Sequence, residues 1–272
     1  MNYWQQRTIT AQEKLSKKRI DQIERQLKHY YRSTMEKTIT DFEAVYDRLQ
    51  RTAAKGNEPT PADLYKLDKY WKMQGQLQQE LQKLGDKEAK VMSKLFTEHF
   101  LDVYKSISLP SAATYSTMDY ETALQMIQQI WVADGKSWKD RIGDNNRKLI
   151  NTLNEQLIHC VVSGKDTNEL RVLLQERFNY SYSDADCLVR TEIAHIQTQA
   201  AQKRYEDYGV QEVEIWADKD ERRCEICGKL HEKRYPVGAQ MPIPAHPRCR
   251  CRIIPVIEIE PLENEQMKLS GF

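Results

Sequence analysis

Thiol and imidazole side chains are concentrated in one short part of this 272-residue chain. Four of its six cysteines lie in the strings Cys224-Glu-Ile-Cys227 and His246-Pro-Arg-Cys249-Arg-Cys251. Zn²⁺ prefers four tetrahedral sulfur or imidazole ligands, and two such clusters joined by a loop can supply them. The types and spacing of these residues therefore predict one structural zinc ion per chain.

Five side chains compete for the four ligand positions. Cys224 and Cys227 are predicted ligands, because a Cys-x-x-Cys turn directs both thiolates at one point. Residues two apart on an extended strand share a face, so whether Cys249 and Cys251 both reach the metal depends on how the chain bends there. Three cysteines with His246, and four cysteines, are both open from the sequence.

The alternative to a metal is a pair of disulfides. The N-terminal residues have no apolar segment of the kind that a signal peptide contains, which predicts synthesis in the reducing cytoplasm, where clustered cysteines more often bind metal. Cys160 and Cys187 stand alone and are predicted to be small buried side chains. His231 is interpreted as a loop histidine outside the ligand set.

The predicted zinc is structural and not catalytic. A thiolate-rich set is normally closed, whereas a catalytic zinc keeps an open position beside a general base. The sequence contains no His-x-Glu string, which zinc deaminases require. A second constellation, Arg190-Thr-Glu192 with His195, is interpreted as structural. Arg190 and Glu192 are expected to attach a long helix to a pair of strands or to the cysteine-containing segment 217–252, called the knuckle. No catalytic residue is assigned, and the chain is predicted not to be an enzyme.

The overall charge argues against a protein that binds polyanions over its whole surface, because 41 lysines and arginines face 40 acids. Residues 217–252 hold a local excess of nine bases over five acids. This excess is interpreted either as a surface that faces DNA or as charge that supports thiolate ligands, and the second interpretation is favoured. The nine bases are Lys219, Arg222, Arg223, Lys229, Lys233, Arg234, Arg248, Arg250 and Arg252.

Helical periodicity dominates residues 1–110, where apolar side chains recur every three or four positions from Ile20 to Leu49 and again from Leu64 to Leu84. Thr10 and Thr60 are predicted helix caps, and Gly85 a helix break. The region is predicted to be a helical arm or hairpin that docks on a partner, or else a plain bundle. No segment is apolar enough to predict a membrane span.

The rest of the chain is predicted to form a separate unit after a polar linker at 111–118. Shorter helices are expected at about 119–133, 137–163, 167–178 and 183–208, with an interruption at Gly143 and a turn at 180–183. Ser137 and Asp166 are predicted to cap the second and the third of these helices. Two β-rich runs, around Val213 and Ile253, are predicted to pair with the cysteine loop between them. The acidic segment 258–272 is predicted to be disordered. The expected fold class is mainly α, with a small β and zinc-knuckle element at the end.

These strings together resemble the phage head-morphogenesis family, the minor head proteins related to protein F of phage Mu. The resemblance spans about 119–257 and rests on Arg190-Thr-Glu192, on Asp220-Glu-Arg-Arg-Cys224-x-x-Cys227, and on His246-Pro-Arg-Cys249-Arg-Cys251. It implies that the five knuckle donors are metal-site residues and that Arg190 and Glu192 are motif positions without an assigned role.

The resemblance further implies a minor capsid protein of the virion head, made in the host cytoplasm. Its expected partners are the portal and the major capsid or scaffold protein, with a role in procapsid assembly and in DNA packaging or delivery. No membrane and no small-molecule substrate are expected. The alternatives are a zinc module that binds packaged or ejected DNA through its arginines and, less favoured, a zinc-dependent nuclease.

Overall fold

The computed structural model describes residues 2–53, 58–109, 117–218, 220–221 and 223–257. Within these residues it has seven helices and three short strands. Six helices come first, and the seventh lies between the first and the second strand. The helices are α1 (Tyr3–Ala53), α2 (Pro61–Tyr65), α3 (Asp68–Ser106), α4 (Tyr120–Met126), α5 (Trp138–Ser163), α6 (Thr167–Asp207) and α7 (Glu225–Leu230). The strands are β1 (Glu212–Trp216), β2 (Arg234–Pro236) and β3 (Arg252–Val256). The predicted mainly helical class with a small β element near the C-terminus is confirmed.

Three long helices, α1, α3 and α6, pack against one another, and α5 lies against α3 and α6. The apolar stripe predicted on the first helix forms its buried face, as the period of 3.6 residues requires. The fully or nearly buried members of that stripe are Ile23, Leu27, Tyr31, Ile39, Phe42, Tyr46 and Leu49. The N-terminal helices thus share a core with α6, and α1 also contacts β3.

Helix starts follow the predicted capping residues at three places. Thr60, Ser137 and Asp166 each accept a hydrogen bond from the third helical residue, whose carboxylate bonds back to the cap amide. Gly164 ends α5 in the left-handed conformation, with φ 62°. The cap predicted at Thr10 is wrong, because α1 already begins at Tyr3 and the Thr10 hydroxyl bonds to the Gln6 carbonyl inside the helix.

The predicted break at Gly85 is also wrong, since α3 runs through it without interruption. The missing side chain instead lets α5 approach: the buried Asn146 amide donates a hydrogen bond of 3.2 Å to the Leu81 carbonyl. A Cβ at position 85 would lie 2.4 Å from the Asn146 Nδ2. Glycine serves here for close helix packing, which the sequence alone does not distinguish from a helix end.

Two predicted helices, 167–178 and 183–208, are one helix of 41 residues, α6. The turn expected at 180–183 is absent there because Ser181 is buried and its hydroxyl bonds to the Asn145 side chain at 3.2 Å. Gly143 likewise lies inside α5 without an interruption. Trp71, which lies within the predicted apolar run from Leu64 to Leu84 and was expected to be buried, is 58% exposed. A new helix starts at Asp68, which shifts the phase so that Tyr70 and Met73 face the core.

The two predicted strands pair as expected. β1 is antiparallel to β3, with Val213 opposite Pro255 and Trp216 opposite Arg252. A third strand, β2, pairs with the other edge of β1 and was not predicted from its three residues. The long excursion between β1 and β3 carries the cysteine strings, and its two ends are held together by this pairing.

Some predicted features lie outside the described residues: most of the linker at 111–118, the tail at 258–272, Lys219 and Arg222. The predicted division of the chain into a partner-docking arm and a separate unit stays a prediction. Among the helices of the described ranges, none combines the length and the apolarity that a membrane crossing would need.

The glycine at position 85 gives a test of the packing of α3 on α5. Gly85→Ala should lower the free energy of unfolding by about 1–2 kcal/mol, because the Asn146 amide must leave the Leu81 carbonyl. Chemical denaturation measures this change. Gly75→Ala in the same helix is the control: its Cβ would meet no atom within 4 Å, so it should stabilise by up to about 1 kcal/mol. Equal effects at both positions would contradict the close approach.

Candidate metal centre

The first pair of donors is arranged by the start of α7. Cys224 is the residue before the helix, and its sulfur accepts a hydrogen bond of 3.4 Å from the Cys227 amide. The Gly228 amide bonds to the Cys224 carbonyl at 2.9 Å, which closes the turn. Cys227 is buried and Cys224 partly exposed. A Cys-x-x-Cys turn built in this way presents both sulfurs on the same side.

The second set of donors comes from the loop that leads into β3. The Cys249 amide bonds to the His246 carbonyl at 3.1 Å, so the chain turns back between them. Arg248 takes a left-handed conformation at this turn, with φ 60°, and its amide donates to the Thr191 hydroxyl of α6 at 3.0 Å. This contact holds the loop against the long helix. Cys251 follows at the edge of the strand and is buried.

The two sets meet. Cys224, Cys227 and His246 form one group whose donor atoms lie within 4.8 Å of one another, and Cys227, Cys249 and Cys251 form a second such group. Cys227 belongs to both, so all five predicted donors surround one region. None of the six cysteines forms a disulfide. The structure thus brings the sequence-predicted residues together and contains the free thiols that a metal site requires.

Three of the donor separations are close to those around one tetrahedral ion, although Cys249 and Cys251 belong to a different group from Cys224 and His246. Zinc–sulfur bonds of about 2.3 Å place two sulfur ligands about 3.8 Å apart in a tetrahedron. The Cys227 and Cys249 sulfurs are 3.8 Å apart, and the His246 Nε2 lies 3.1 Å from the Cys227 sulfur and 3.3 Å from the Cys224 sulfur. Soft sulfur with imidazole is a donor set typical of zinc, which fits the residues present.

The other ring nitrogen of His246 has a partner of its own. Nδ1 lies 2.8 Å from the Pro247 carbonyl, and an Nδ1–H donated to that oxygen leaves the Nε2 lone pair directed at the two sulfurs. Histidines that bind metals usually have such a hydrogen bond on the far nitrogen, which fixes the tautomer and the ring orientation. The arrangement supports His246 as a donor.

The thiols of the cluster interact strongly. A hydrogen bond from the Cys251 thiol is the main cause that lowers the pKa of Cys249 to about 5. The same interaction raises the pKa of Cys251, and burial raises the pKa of Cys227 to about 12. The lowered pKa favours the thiolate form of Cys249, which is the form that binds a metal.

His231 lies apart from this cluster. Its Nδ1 accepts a hydrogen bond of 3.3 Å from the Ala217 amide, and its ring packs edge-on against Trp216 at 4.7 Å. The side chain is only 8% exposed. It fixes the loop after β1 to the loop after α7.

Comparison with known families gives one match. Residues 151–254 match the family model described as Phage Mu protein F like protein. These residues form a Mu F-like region. The resemblance inferred from the sequence to the phage head-morphogenesis proteins related to Mu protein F is confirmed over this range, which is narrower than 119–257. No curated protein and no solved structure matches the chain significantly.

Most arginines of the Mu F-like region near the cluster are paired with acids. Arg250 binds Asp220 through two hydrogen bonds of 2.6 and 2.7 Å. Arg252, almost fully buried, binds Asp218 at 2.9 Å and donates to the Ile9 carbonyl of α1. Bidentate and buried pairs of this kind position side chains within the fold. They favour the structural interpretation of the basic excess over a surface that faces DNA.

The motif Arg190-Thr-Glu192 connects the Mu F-like region to its surroundings. Arg190 pairs with Asp186 on its own helix at 3.0 Å and with Glu24 on α1. Asp186 also binds Arg248 of the knuckle loop at 3.0 Å. α1, α6 and the knuckle are thus joined through one small ionic network, in which Asp186 lies at the centre.

Glu192 and His195, three residues apart, both meet Trp131. The indole N–H donates to Glu192 at 3.1 Å, and the His195 ring stacks on the indole with 4.2 Å between ring centres. Burial raises the pKa of Glu192 to about 7 and lowers the pKa of His195 to about 4. Glu192 thus bonds to the segment after α4 and not to the knuckle as expected.

Sequence reasoning missed Trp131, Asp186 and Thr191. Asp186 lies four residues before Arg190 on the same helix, and this spacing is a signal that could have identified it. Thr191 is part of the quoted motif, and its hydroxyl accepts a hydrogen bond from the backbone amide of Arg248. Every residue except proline has such an amide, so the residue types of the knuckle do not predict this contact. Trp131 is brought to Glu192 across 61 residues, and nothing local predicts that contact.

The buried carboxyl of Glu192 predicts a pH dependence of stability. In the folded chain this group keeps its proton up to about pH 7, whereas its ordinary pKa is 4.5. Between those values the folded state binds the extra proton, so stability should fall as the pH rises, by about 3 kcal/mol in all.

Glu192→Gln keeps an acceptor for Trp131 but cannot ionise, so the variant should lack this part of the fall. Urea denaturation of both proteins at pH 5, 6, 7 and 8 measures the difference between their slopes. Glu155→Gln, an exposed position on α5, is the matched control and should follow the wild type. A Glu192→Gln slope identical to that of the wild type would show that the fall comes from other groups.

Proposed function

We propose that this chain is a minor capsid protein that acts with the portal in procapsid assembly and in DNA packaging or delivery. The observation that carries the proposal is that the family match and the five-donor cluster coincide, since residues 224–251 lie inside 151–254. The role proposed is structural and not catalytic. Zinc holds the Mu F-like knuckle in shape, and the helices present it to neighbouring head proteins.

The proposed zinc ligands are Cys224, Cys227, Cys249 and His246. Short donor separations connect these four in a continuous series, from Cys224 to His246, to Cys227 and on to Cys249. Cys251 is not a ligand in this proposal, and its thiol donates a hydrogen bond to the Cys249 sulfur. A three-cysteine, one-histidine set is a common structural zinc site.

The need for a metal follows from the composition of the excursion between β1 and β3. In the described part of residues 217–251 the buried apolar side chains are few, and most are cysteines: Ala217, Cys227, Ile243, Cys249 and Cys251. A segment of this size with so small an apolar core normally depends on a metal or on disulfides for its shape. When bound, zinc would supply the cross-link between α7 and the loop before β3.

Elemental analysis of the purified protein tests the metal. About one zinc per chain is expected, and the double variant Cys224→Ser/Cys227→Ser should lose it together with the cooperative unfolding of the knuckle. Cys249→Ser should also lose the metal, whereas Cys251→Ser should keep it. Cys187→Ser, outside the cluster, is the control and should retain full zinc.

Three outcomes would contradict the proposed structural site. A protein without metal and with paired cysteines would exclude the knuckle. Loss of zinc from Cys251→Ser but not from Cys249→Ser would exchange the roles of these two cysteines. Zinc that can be removed without any change in folding would argue for a functional ion, and a nuclease assay would then be the next measurement.

The assembly role is tested on particles of a phage that encodes this chain. Quantitative mass spectrometry of purified heads should find the protein in few copies relative to the major capsid protein, and cross-linking should join it to the portal. The Cys224→Ser/Cys227→Ser variant should be depleted from the particles, while Cys187→Ser should not be. Absence of the wild-type protein from heads, or DNA binding that weakens steeply with salt, would favour the alternative roles.

A further inference from the structure

A cavity of about 550 Å³ lies beside the metal cluster. It is bounded by α3, α5, α6, the segment after α4 and the loop at 244–247. Its wall is largely apolar and includes Trp131, Ile142, Leu188 and Pro244. This size and character are those of sites that hold small organic groups.

Two buried carboxyl groups lie in the wall of this cavity. Glu88 of α3 is 0% exposed, and neither of its oxygens has a hydrogen-bond partner within the described ranges. The Tyr31 hydroxyl lies close enough to lower the pKa of Glu88, but its hydrogen-bond distance of 3.4 Å is to the Ser181 hydroxyl, with either oxygen as the donor. Glu192 of α6 is 3% exposed, and Trp131 donates to one of its oxygens. Natural proteins rarely bury carboxyl groups without a donor or a cation to match them.

The cations around the cavity are already used by other acids. Lys148 binds Asp184 at 3.0 Å, and Arg141, which acts weakly on Glu192, binds Asp134 at 2.8 Å. No ion pair joins Glu88 or Glu192 to a base in the part of the chain that the structure describes. Once these carboxyls ionise, the charge that the cavity leaves uncompensated is therefore negative.

We propose that this cavity binds an alkylammonium group, with its charged end at Glu88 and Glu192 and its carbon stem along the apolar wall. An ammonium has three donors and no acceptor, which complements the two unpartnered oxygens of Glu88 and a Glu192 carboxylate with one donor, the Trp131 indole. The apolar wall contributes through the stem, as it does for buried lysine side chains. This site adjoins the metal cluster, because His246 lies in the cavity wall, and it does not depend on the proposed function.

The protonation of the two groups sets the conditions for a test. Burial raises the pKa of both Glu88 and Glu192 to about 7. At pH 8 both carboxyls can ionise, while an alkylamine with a pKa of about 10 stays protonated and cannot coordinate a metal. Binding is therefore measured at pH 8 in phosphate buffer, on the protein as purified with its metal.

Isothermal titration with n-hexylamine, n-hexanol and hexanoate separates charge from apolar contact. Hexylamine should bind, hexanol about tenfold more weakly, and hexanoate not at all, because the ammonium alone makes charge-assisted hydrogen bonds. N-acetyl-lysine methylamide is a further arm. Its binding would identify a lysine side chain of a protein as a source of the group, and its failure beside bound hexylamine would identify a free amine.

Variants localise the binding. Glu88→Gln and Glu192→Gln should each weaken hexylamine about tenfold and leave hexanol unchanged, whereas Glu155→Gln should change neither. Circular dichroism checks that each variant is folded, and if Glu88→Gln does not fold, Glu192→Gln carries the test alone. Equal affinity for hexylamine and hexanol, no binding of hexylamine, or full binding by Glu192→Gln would overturn the proposal.

Discussion

The antiparallel pairing of β1 with β3 is the constraint on which the Mu F-like region depends. It places Trp216 opposite Arg252 and so closes the ends of an excursion of 35 residues. Cys251 adjoins the first residue of β3, and the Cys-x-x-Cys turn of α7 returns towards it. Without this pairing the two donor sets would be separated by a long flexible loop, and the entropy of closing it would oppose the cluster.

A second constraint is the single long helix α6. It carries Asp186, Arg190 and Thr191 within two turns. Asp186 and Thr191 contact the side chain and the backbone amide of Arg248 in the knuckle, and Arg190 contacts Glu24 of α1. A break at 180–183 would have separated this segment from the first half of the helix. One continuous rigid element instead fixes the knuckle relative to α1, so the position of the metal cluster is determined by helix packing as well as by its own loop.

Much of this arrangement is present in local sequence. The α1 stripe, the caps at Thr60, Ser137 and Asp166, the paired strands and the cysteine strings were predictable because each depends on neighbours within one turn or one strand. The failures at Gly85 and Ser181 share another cause. At both positions a residue that usually breaks helices is used in a contact with α5, through Asn146 or Asn145. Tertiary contact overrides local preference there, and one sequence does not contain that information. The joining of five donors at one point was predictable in outline, but the side-chain distances that favour His246 were not.

The distribution of charge within the molecule separates two kinds of partner. Three arginines of the knuckle, Arg248, Arg250 and Arg252, form ion pairs with Asp186, Asp220 and Asp218 respectively. These pairs stabilise the fold and leave less of the arginines' charge to attract a polyanion. The carboxyls of Glu88 and Glu192 are buried without a cation among the described residues, and each avoids the cost of a buried charge by keeping its proton up to about pH 7. Above that pH the ionised groups carry this cost. A bound ammonium would offset it. The wall that these carboxyls share with the loop at 244–247 includes His246, so a ligand in the cavity and a metal in the cluster would both contact one short segment. If the ligand or the metal orders this segment on binding, the other then binds at a lower entropic cost. The change in affinity must be the same in both directions, because coupling between two binding sites is reciprocal.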